Sequence, residues 1–163
     1  ICYFCKTLII DMNYSLLNIP ERTTKPRESG FTMAMDKGLS LREAEDLMSI
    51  ASDYVDIVKL GWATSFVTPR LEEKLKIYEN AGVPAYLGGT LFEAFIVRGQ
   101  FDDYRKLLDK FKLKYAEVSD GSIEIPHDVK CEYIRKLAEQ VVVLSEVGSK
   151  DAEKIIPPYK WIQ

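Results

Sequence analysis

Four charged residues stand at the carboxyl ends of strand-like runs, and their types suit a site for a metal ion and an anion. They are Asp36, Lys59, Glu117 and Glu146, and each ends a run with the period-2 alternation of a β-strand. From that alternation we expect all four side chains to point to one interior. An ion pair with Lys59 would account for one acid, but three acids exceed that need. Carboxylate oxygens suit a hard cation, so the pattern predicts a Mg²⁺ site formed by the acids.

A Gly88-Gly89 pair follows another strand-like run and precedes a helix. Two glycines at such a junction let backbone N–H groups approach an anion, although a tight turn without a ligand explains them equally well. Glu93 lies in the first turn of the helix and is either a further metal ligand or an acid favoured there by the helix dipole. Ser119 shares a strand face with Glu117, and we assign Ser119 and both glycines to substrate binding.

Three cations are candidates for meeting an anionic substrate. Lys25 and Arg27 come just before the first strand, where they would fold over the site, or would form a solvated loop instead. Lys150 follows the fifth strand. The single histidine, His127, precedes a helix start and cannot build a Ser/His/Asp or Cys/His arrangement there.

The elements that position these residues alternate strictly between strand and helix. Five strands are predicted, at residues 31–36, 55–60, 83–87, 114–119 and 141–147. On the first, Thr32, Ala34 and Asp36 are expected to face inward, with the bulky Met33 and Met35 outward. Right-handed crossovers make such strands parallel, and no phosphate-binding glycine motif follows the first strand. We predict an α/β fold of the (β/α)8 TIM-barrel type with only the first five strands present. Residues 1–24 would be an irregular lead-in and 25–163 the partial barrel.

The composition is typical of a soluble globular domain. The chain has 163 residues, is 47% hydrophobic and carries a net charge of −3. That charge argues against binding nucleic acid through a basic surface, and no apolar run is long enough to span a membrane. We expect a cytoplasmic protein with reduced cysteines, able to form a homo-oligomer.

Four blocks of sequence closely resemble the phosphosulfolactate synthase family. They are Lys59-Leu60-Gly61-Trp62-Ala63-Thr64-Ser65, Gly88-Gly89-Thr90-Leu91-Phe92-Glu93, Glu117-Val118-Ser119-Asp120-Gly121 and Ser145-Glu146-Val147-Gly148. They occur in the order and at the spacing of that family, over roughly residues 24 to 163. The lead-in resembles the bacterial and plant branch. Ala63 departs from the glycine that the family usually has, a change that we expect to be mild.

The resemblance implies a TIM-barrel enzyme of the carbon–sulfur lyase class. Such enzymes add sulfite to phosphoenolpyruvate with the help of Mg²⁺ and form (2R)-phospho-3-sulfolactate, the first step of one route to coenzyme M. Lys150 matches the family's proposed general acid, and Lys59 is the second candidate for that role or orients the substrate carboxylate. Arg27 would bind phosphate or sulfite.

The resemblance also implies a longer barrel than this sequence contains. A full barrel needs about 250 residues, so we expect a C-terminally truncated chain that is inactive or poorly folded by itself. Two other readings stay open. One is a non-catalytic relative that acts as a stress-related partner of chaperones. The other is an unrelated lyase or aldolase that uses Lys59 or Lys150 as a Schiff base.

Overall fold

The computed structural model describes residues 13–14 and 16–148 and shows five parallel strands alternating with six helices in that part of the chain. The elements are β1 (Met33–Asp36), α1 (Leu41–Ala51), β2 (Ile57–Leu60), α2 (Thr64–Val67), α3 (Leu71–Asn80), β3 (Ala85–Leu87), α4 (Gly89–Ile96), α5 (Phe101–Lys110), β4 (Tyr115–Val118), α6 (His127–Ala138) and β5 (Val142–Ser145). The strands and helices follow one another in the predicted order, and α2 is a single extra turn before Pro69.

Local sequence signals set the ends of several helices. The Ser40 side chain accepts from the Glu43 N–H while the Glu43 carboxylate accepts from the Ser40 N–H, which makes a capping box for α1. Gly82 follows α3 with φ +69°, the left-handed conformation that glycine adopts most easily at a helix end.

The strand order is β1-β2-β3-β4-β5, so each strand pairs with its neighbour in sequence. Lys59 of β2 lies beside Tyr86 of β3, and Glu117 of β4 lies beside Leu144 of β5. Sequential parallel pairing with a helical crossover after each strand is the arrangement of the first five units of a (β/α)8 barrel. The predicted fold class is confirmed.

The helices pack on one face of the sheet. Two buried clusters lie there, one around Phe92, Tyr104 and Leu137, the other around Ala44, Met48 and Tyr78. The strand residues in these clusters alternate with those of the opposite face, which we call the open face; it carries Met33, Met35, Lys59, Tyr86, Glu117, Val142 and Leu144. Met33, Met35 and Val142 are 45%, 39% and 57% exposed.

Among the helices of the described residues, none has both the length and the apolar character that spanning a membrane requires.

The first strand is turned the opposite way from the prediction. Ala34 packs in the cluster of α1 and α3, and Asp36 bonds to side chains of α3, so both face the helices. Met33 and Met35 instead lie on the open face. Small residues suit the helix side of β1 because α1 and α3 pack closely against it.

Candidate active site

An ion pair between Lys59 and Glu117 forms the centre of the open face. Lys59 Nζ lies 2.6 Å from Glu117 Oε1 and 3.9 Å from Glu146 Oε2. The side chains of Lys59, Glu117 and Glu146 are 15%, 6% and 36% exposed. Because β2, β4 and β5 run parallel, their carboxyl ends meet at one edge and bring these three residues together. The structure thus places three of the four predicted strand-end residues in one cluster.

The Glu117 carboxylate is held by neutral donors as well. Gly89 N–H donates to Oε1 at 2.9 Å, and the Tyr86 hydroxyl donates to Oε2 at 3.1 Å. Burial raises the pKa of Glu117, but the hydrogen bonds from Lys59 and Gly89 outweigh it and leave the pKa below its ordinary value. Burial and the neighbouring Glu117 raise the pKa of Tyr86, which therefore stays a neutral donor. The cluster is an ionised carboxylate between an ammonium and two dipoles.

The two glycines of the predicted anion site are needed for close packing. A Cβ on Gly88 would lie 2.9 Å from Lys59 Cε and 3.0 Å from the Leu60 carbonyl oxygen. A Cβ on Gly89 would lie 2.6 Å from Ser119 Cβ and 2.8 Å from Glu117 Oε1. The anion that the Gly89 N–H meets at the start of α4 is therefore the protein's own Glu117 carboxylate.

Glu93 lies next to this cluster and anchors the loop after β4. It is 2% exposed and accepts hydrogen bonds from the Ser119 hydroxyl and from the N–H groups of Gly121 (3.0 Å) and Ser122 (3.1 Å). These bonds give Glu93 a structural task, and the Ser119 hydroxyl is committed to it.

Asp36 lies on the other side of the sheet, so its expected place in the cluster is wrong. Its Oδ2 is 2.7 Å from Lys74 Nζ and accepts from the Tyr78 hydroxyl at 2.9 Å, while Oδ1 accepts from the N–H groups of Gly38 and Leu39 at 2.7 Å. Burial opposes ionisation, but the four hydrogen bonds outweigh it and lower the pKa of Asp36. Period-2 alternation separates the two faces of a strand without saying which one meets the helices.

Lys25 and Arg27 lie at the amino ends of the strands, so their predicted position over the site is also wrong. Arg27 Nη1 is 2.5 Å from Oδ1 of Asp56, the residue just before β2, and Nη2 donates to the Asp53 carbonyl at 2.9 Å. Lys25 donates to the carbonyls of Ser52 and Val55, and burial lowers its pKa. The chain enters a parallel strand from its amino end, which places the lead-in away from the carboxyl-end cluster. Lys150 lies outside the described residues.

The predicted four-carboxylate metal site does not form among the described residues, where no group of three or more His, Cys, Asp or Glu side chains converges. Two of its members, Glu117 and Glu146, do lie together around Lys59. Mg²⁺ commonly takes one or two protein carboxylates and completes its shell with water and substrate oxygens. Among the described residues Glu117 and Glu146 could hold Mg²⁺ in that reduced form, and Glu146 is the more exposed of the two.

The sequence reasoning missed two residues that contact the cluster. Tyr86 lies between Lys59 and Glu117 on the open face. The sequence could have indicated this, because Tyr86 is two residues before Gly88 and residues two apart in a strand share a face. Lys130 of α6 is 3% exposed, and its Nζ lies 2.7 Å from both Asp120 Oδ1 and the Glu146 carbonyl oxygen. In the sequence, the position of Lys130 on the apolar side of a helix could have indicated that its side chain is buried and paired.

Comparisons with known proteins agree with the earlier resemblance. A family model described as (2R)-phospho-3-sulfolactate synthase (ComA) matches residues 20–163. The phosphosulfolactate synthase of Bacillus subtilis is 39% identical over 142 residues, which is 87% of this chain and 56% of that relative. The phosphosulfolactate synthases of Methanothermobacter thermautotrophicus and Methanocaldococcus jannaschii are 40% and 37% identical, over 83% and 78% of this chain and 54% and 52% of theirs.

The chain spans about half the length of these curated relatives. The match nevertheless includes all of the described strands and the whole Lys59–Glu117–Glu146 cluster. A family model that covers most of the chain, together with identities near 40% over bacterial and archaeal relatives, is decisive for family membership. The chain belongs to the (2R)-phospho-3-sulfolactate synthase family.

Proposed function

We propose that the protein carrying this chain is a phosphosulfolactate synthase that adds sulfite to phosphoenolpyruvate with the help of Mg²⁺. Family membership supports the reaction. Within this chain, the Lys59–Glu117 ion pair at the carboxyl edge of the sheet is the main observation in its favour. The product would be (2R)-phospho-3-sulfolactate, which can supply coenzyme M or another sulfonate. The bond formed joins carbon and sulfur, as in the reverse of a carbon–sulfur lyase reaction.

The reaction needs positive charge in one place and a proton in another. The sulfite sulfur donates its lone pair to the methylene carbon of phosphoenolpyruvate, and the double-bond electrons move toward the carboxylate as an enediolate. A proton must then reach the adjacent carbon that bears the phosphate ester. An ammonium held rigidly beside that carboxylate stabilises the developing charge because it is already oriented.

Lys59 is suited to that role because its ammonium is fixed by Glu117 and partly shielded from water. Lys150 remains the family-based candidate for the final proton transfer. Mg²⁺, held by Glu146 and Glu117, would supply further positive charge to the substrate carboxylate.

The test is phosphorus NMR of phosphoenolpyruvate with the full-length protein that carries this chain. A new phosphate-ester signal that requires both sulfite and the protein, and that grows with Mg²⁺, supports the synthase. Unchanged phosphoenolpyruvate under these conditions would refute it. Omission of sulfite is the control against simple hydrolysis of the ester.

A non-catalytic partner of other proteins is the second candidate. It is favoured by an exposed apolar patch after β2, in which Trp62, Phe66 and Val67 are 68%, 83% and 73% exposed. The same NMR experiment separates the two, since such a relative would leave phosphoenolpyruvate unchanged. A Schiff-base enzyme is less well supported, because Lys59 is engaged with Glu117 and Lys150 lies outside the described residues.

A further inference from the structure

The carboxyl end of the sheet offers few cations to a phosphorylated substrate once Lys25 and Arg27 are placed at the opposite end. Among the described residues, Lys59 is paired with Glu117 and Lys130 with Asp120. A phosphate ester carries more than one negative charge and is bound most often by Lys, Arg or backbone N–H groups. A cation at this end that no carboxylate of the described residues neutralises would suit such a substrate.

Lys37 meets that condition. It follows Asp36, the last residue of β1, and its side chain is exposed and forms no ion pair within the described part of the chain. Its Nζ lies 5.2 Å from the centroid of the Trp62 ring, which comes from the turn after β2. The indole face attracts one side of the ammonium and leaves the other side open to solvent.

The backbone around Lys37 is held firmly. The buried Asp36 carboxylate accepts the N–H groups of Gly38 and Leu39, and it is itself fixed by Lys74 and Tyr78 of α3. An exposed lysine normally loses much side-chain freedom when it binds a ligand. A fixed turn and an aromatic contact reduce that loss for Lys37.

The turn that carries Trp62 has a strained backbone. Trp62 and Ala63 both have left-handed backbone angles, φ 56° and 57°, and the Thr64 N–H closes the turn on the Gly61 carbonyl at 3.0 Å. Such angles cost free energy for residues other than glycine. The Trp62 indole on this turn is 68% exposed to solvent. A strained backbone of this kind is typical of ligand-binding sites.

We propose that Lys37, with Trp62 behind it, binds the phosphate group of phosphoenolpyruvate. The inference rests on the proposed function for the identity of the ligand. In a closed eight-stranded barrel β1 lies beside β8, and many such barrels bind phosphate at the loops after strands seven and eight. The turn after β1 borders that region. The substrate would then lie with its phosphate toward Lys37 and its carboxylate toward Lys59.

The test is calorimetric binding of phosphoenolpyruvate, without sulfite, to the full-length protein and its Lys37→Met variant. Loss of a charge-assisted contact should weaken binding at least tenfold and make it less dependent on salt. The matched control is Lys110→Met, because Lys110 is also 5.2 Å above an aromatic ring, that of Phe111, but lies at the end of α5. We expect its affinity to stay within twofold of the original.

Trp62 variants test the aromatic contact separately. Trp62→Ala should weaken phosphoenolpyruvate binding about two- to fivefold, whereas Trp62→Phe, which keeps an aromatic face, should bind nearly normally. Inorganic phosphate should compete with phosphoenolpyruvate in the original protein and much less in Lys37→Met.

The outcomes distinguish this inference from the proposed function. Normal binding of phosphoenolpyruvate by Lys37→Met overturns the role of Lys37, whether or not the protein makes product. Weakened binding with no sulfite-dependent product upholds Lys37 and refutes the synthase. An original protein that binds neither phosphoenolpyruvate nor phosphate overturns both.

Discussion

Removing the buried ammonium of Lys74 should destabilise the fold strongly, although Lys74 is far from the open face. Lys74 and Asp36 are both fully buried between β1 and α3, with Nζ and Oδ2 2.7 Å apart. The informative variant is Lys74→Met, which keeps most of the side-chain volume and removes only the charge. Asp36 then stays in the interior without its cation.

The expected loss is about 3 kcal/mol of unfolding free energy. Breaking a buried ion pair from one side typically costs about 3–5 kcal/mol, because the remaining charge is buried without compensation. The lower end applies here, since Asp36 keeps the N–H groups of Gly38 and Leu39 and the Tyr78 hydroxyl as donors. Adding Asp36→Asn should restore at least ~1 kcal/mol, because the uncompensated charge is gone.

The pH dependence has a definite sign. The pKa of Asp36 is lower in the folded protein than its ordinary value, despite the opposing effect of burial. The stability that Asp36 contributes is therefore fully present above about pH 4 and is lost as the pH falls through the folded pKa. In Lys74→Met burial is less opposed, so the pKa of Asp36 should be lowered less and the loss of stability in acid should be smaller.

Urea unfolding of the full-length protein at several pH values measures both effects. Lys76→Met is the matched control, because Lys76 lies on the same helix in an exposed pair with Glu72 and should give no measurable change. The reasoning is refuted if Lys74→Met loses less than ~1 kcal/mol, or if the double variant is no more stable than the single one.

Three further predictions concern the site and its surroundings. Lys59→Met should reduce sulfite-dependent turnover by about 100-fold or more, whereas Lys112→Met should not, measured by phosphorus NMR. Ala63→Gly should be neutral or slightly stabilising because φ is 57°, but Ala63→Val should cost at least ~1 kcal/mol; equal melting temperatures for the two would contradict the left-handed turn. Arg27→Met should lower the unfolding free energy by about 3 kcal/mol, because it breaks the pair with Asp56. The KM for phosphoenolpyruvate should stay within twofold, and a large rise in KM would show that Arg27 contacts the substrate after all.

The strand and helix pattern could be predicted because it depends on local periodicity. The expected strand at residues 83–87 contains β3, and the apolar spacing of Leu75 and Tyr78 does mark the buried side of α3. The observed strands are shorter than the predicted ones because only part of each apolar run pairs in register with its neighbour. What failed was the choice of face for Asp36, which depends on how helices pack and not on the strand itself.

The site could be predicted only in part. Lys59, Glu117 and Glu146 meet because parallel strands share a carboxyl edge, a rule that needs no coordinates. Lys25 and Arg27 were misplaced although the chain held the necessary signal, since residues just before a strand lie at its amino end. The roles of the site residues and of Mg²⁺ stay predictions.

The sequential strand order also bears on how the protein is made. Because each strand pairs with its neighbour in the chain, β1, β2 and β3 can assemble while later residues are still being synthesised. Lys59, however, must wait for a partner 58 residues further on, and until β4 docks its ammonium has no Glu117 to offset its desolvation. That pair links β2 to β4 across β3, so the residue proposed to act on the substrate gains its partner only after three strands have assembled.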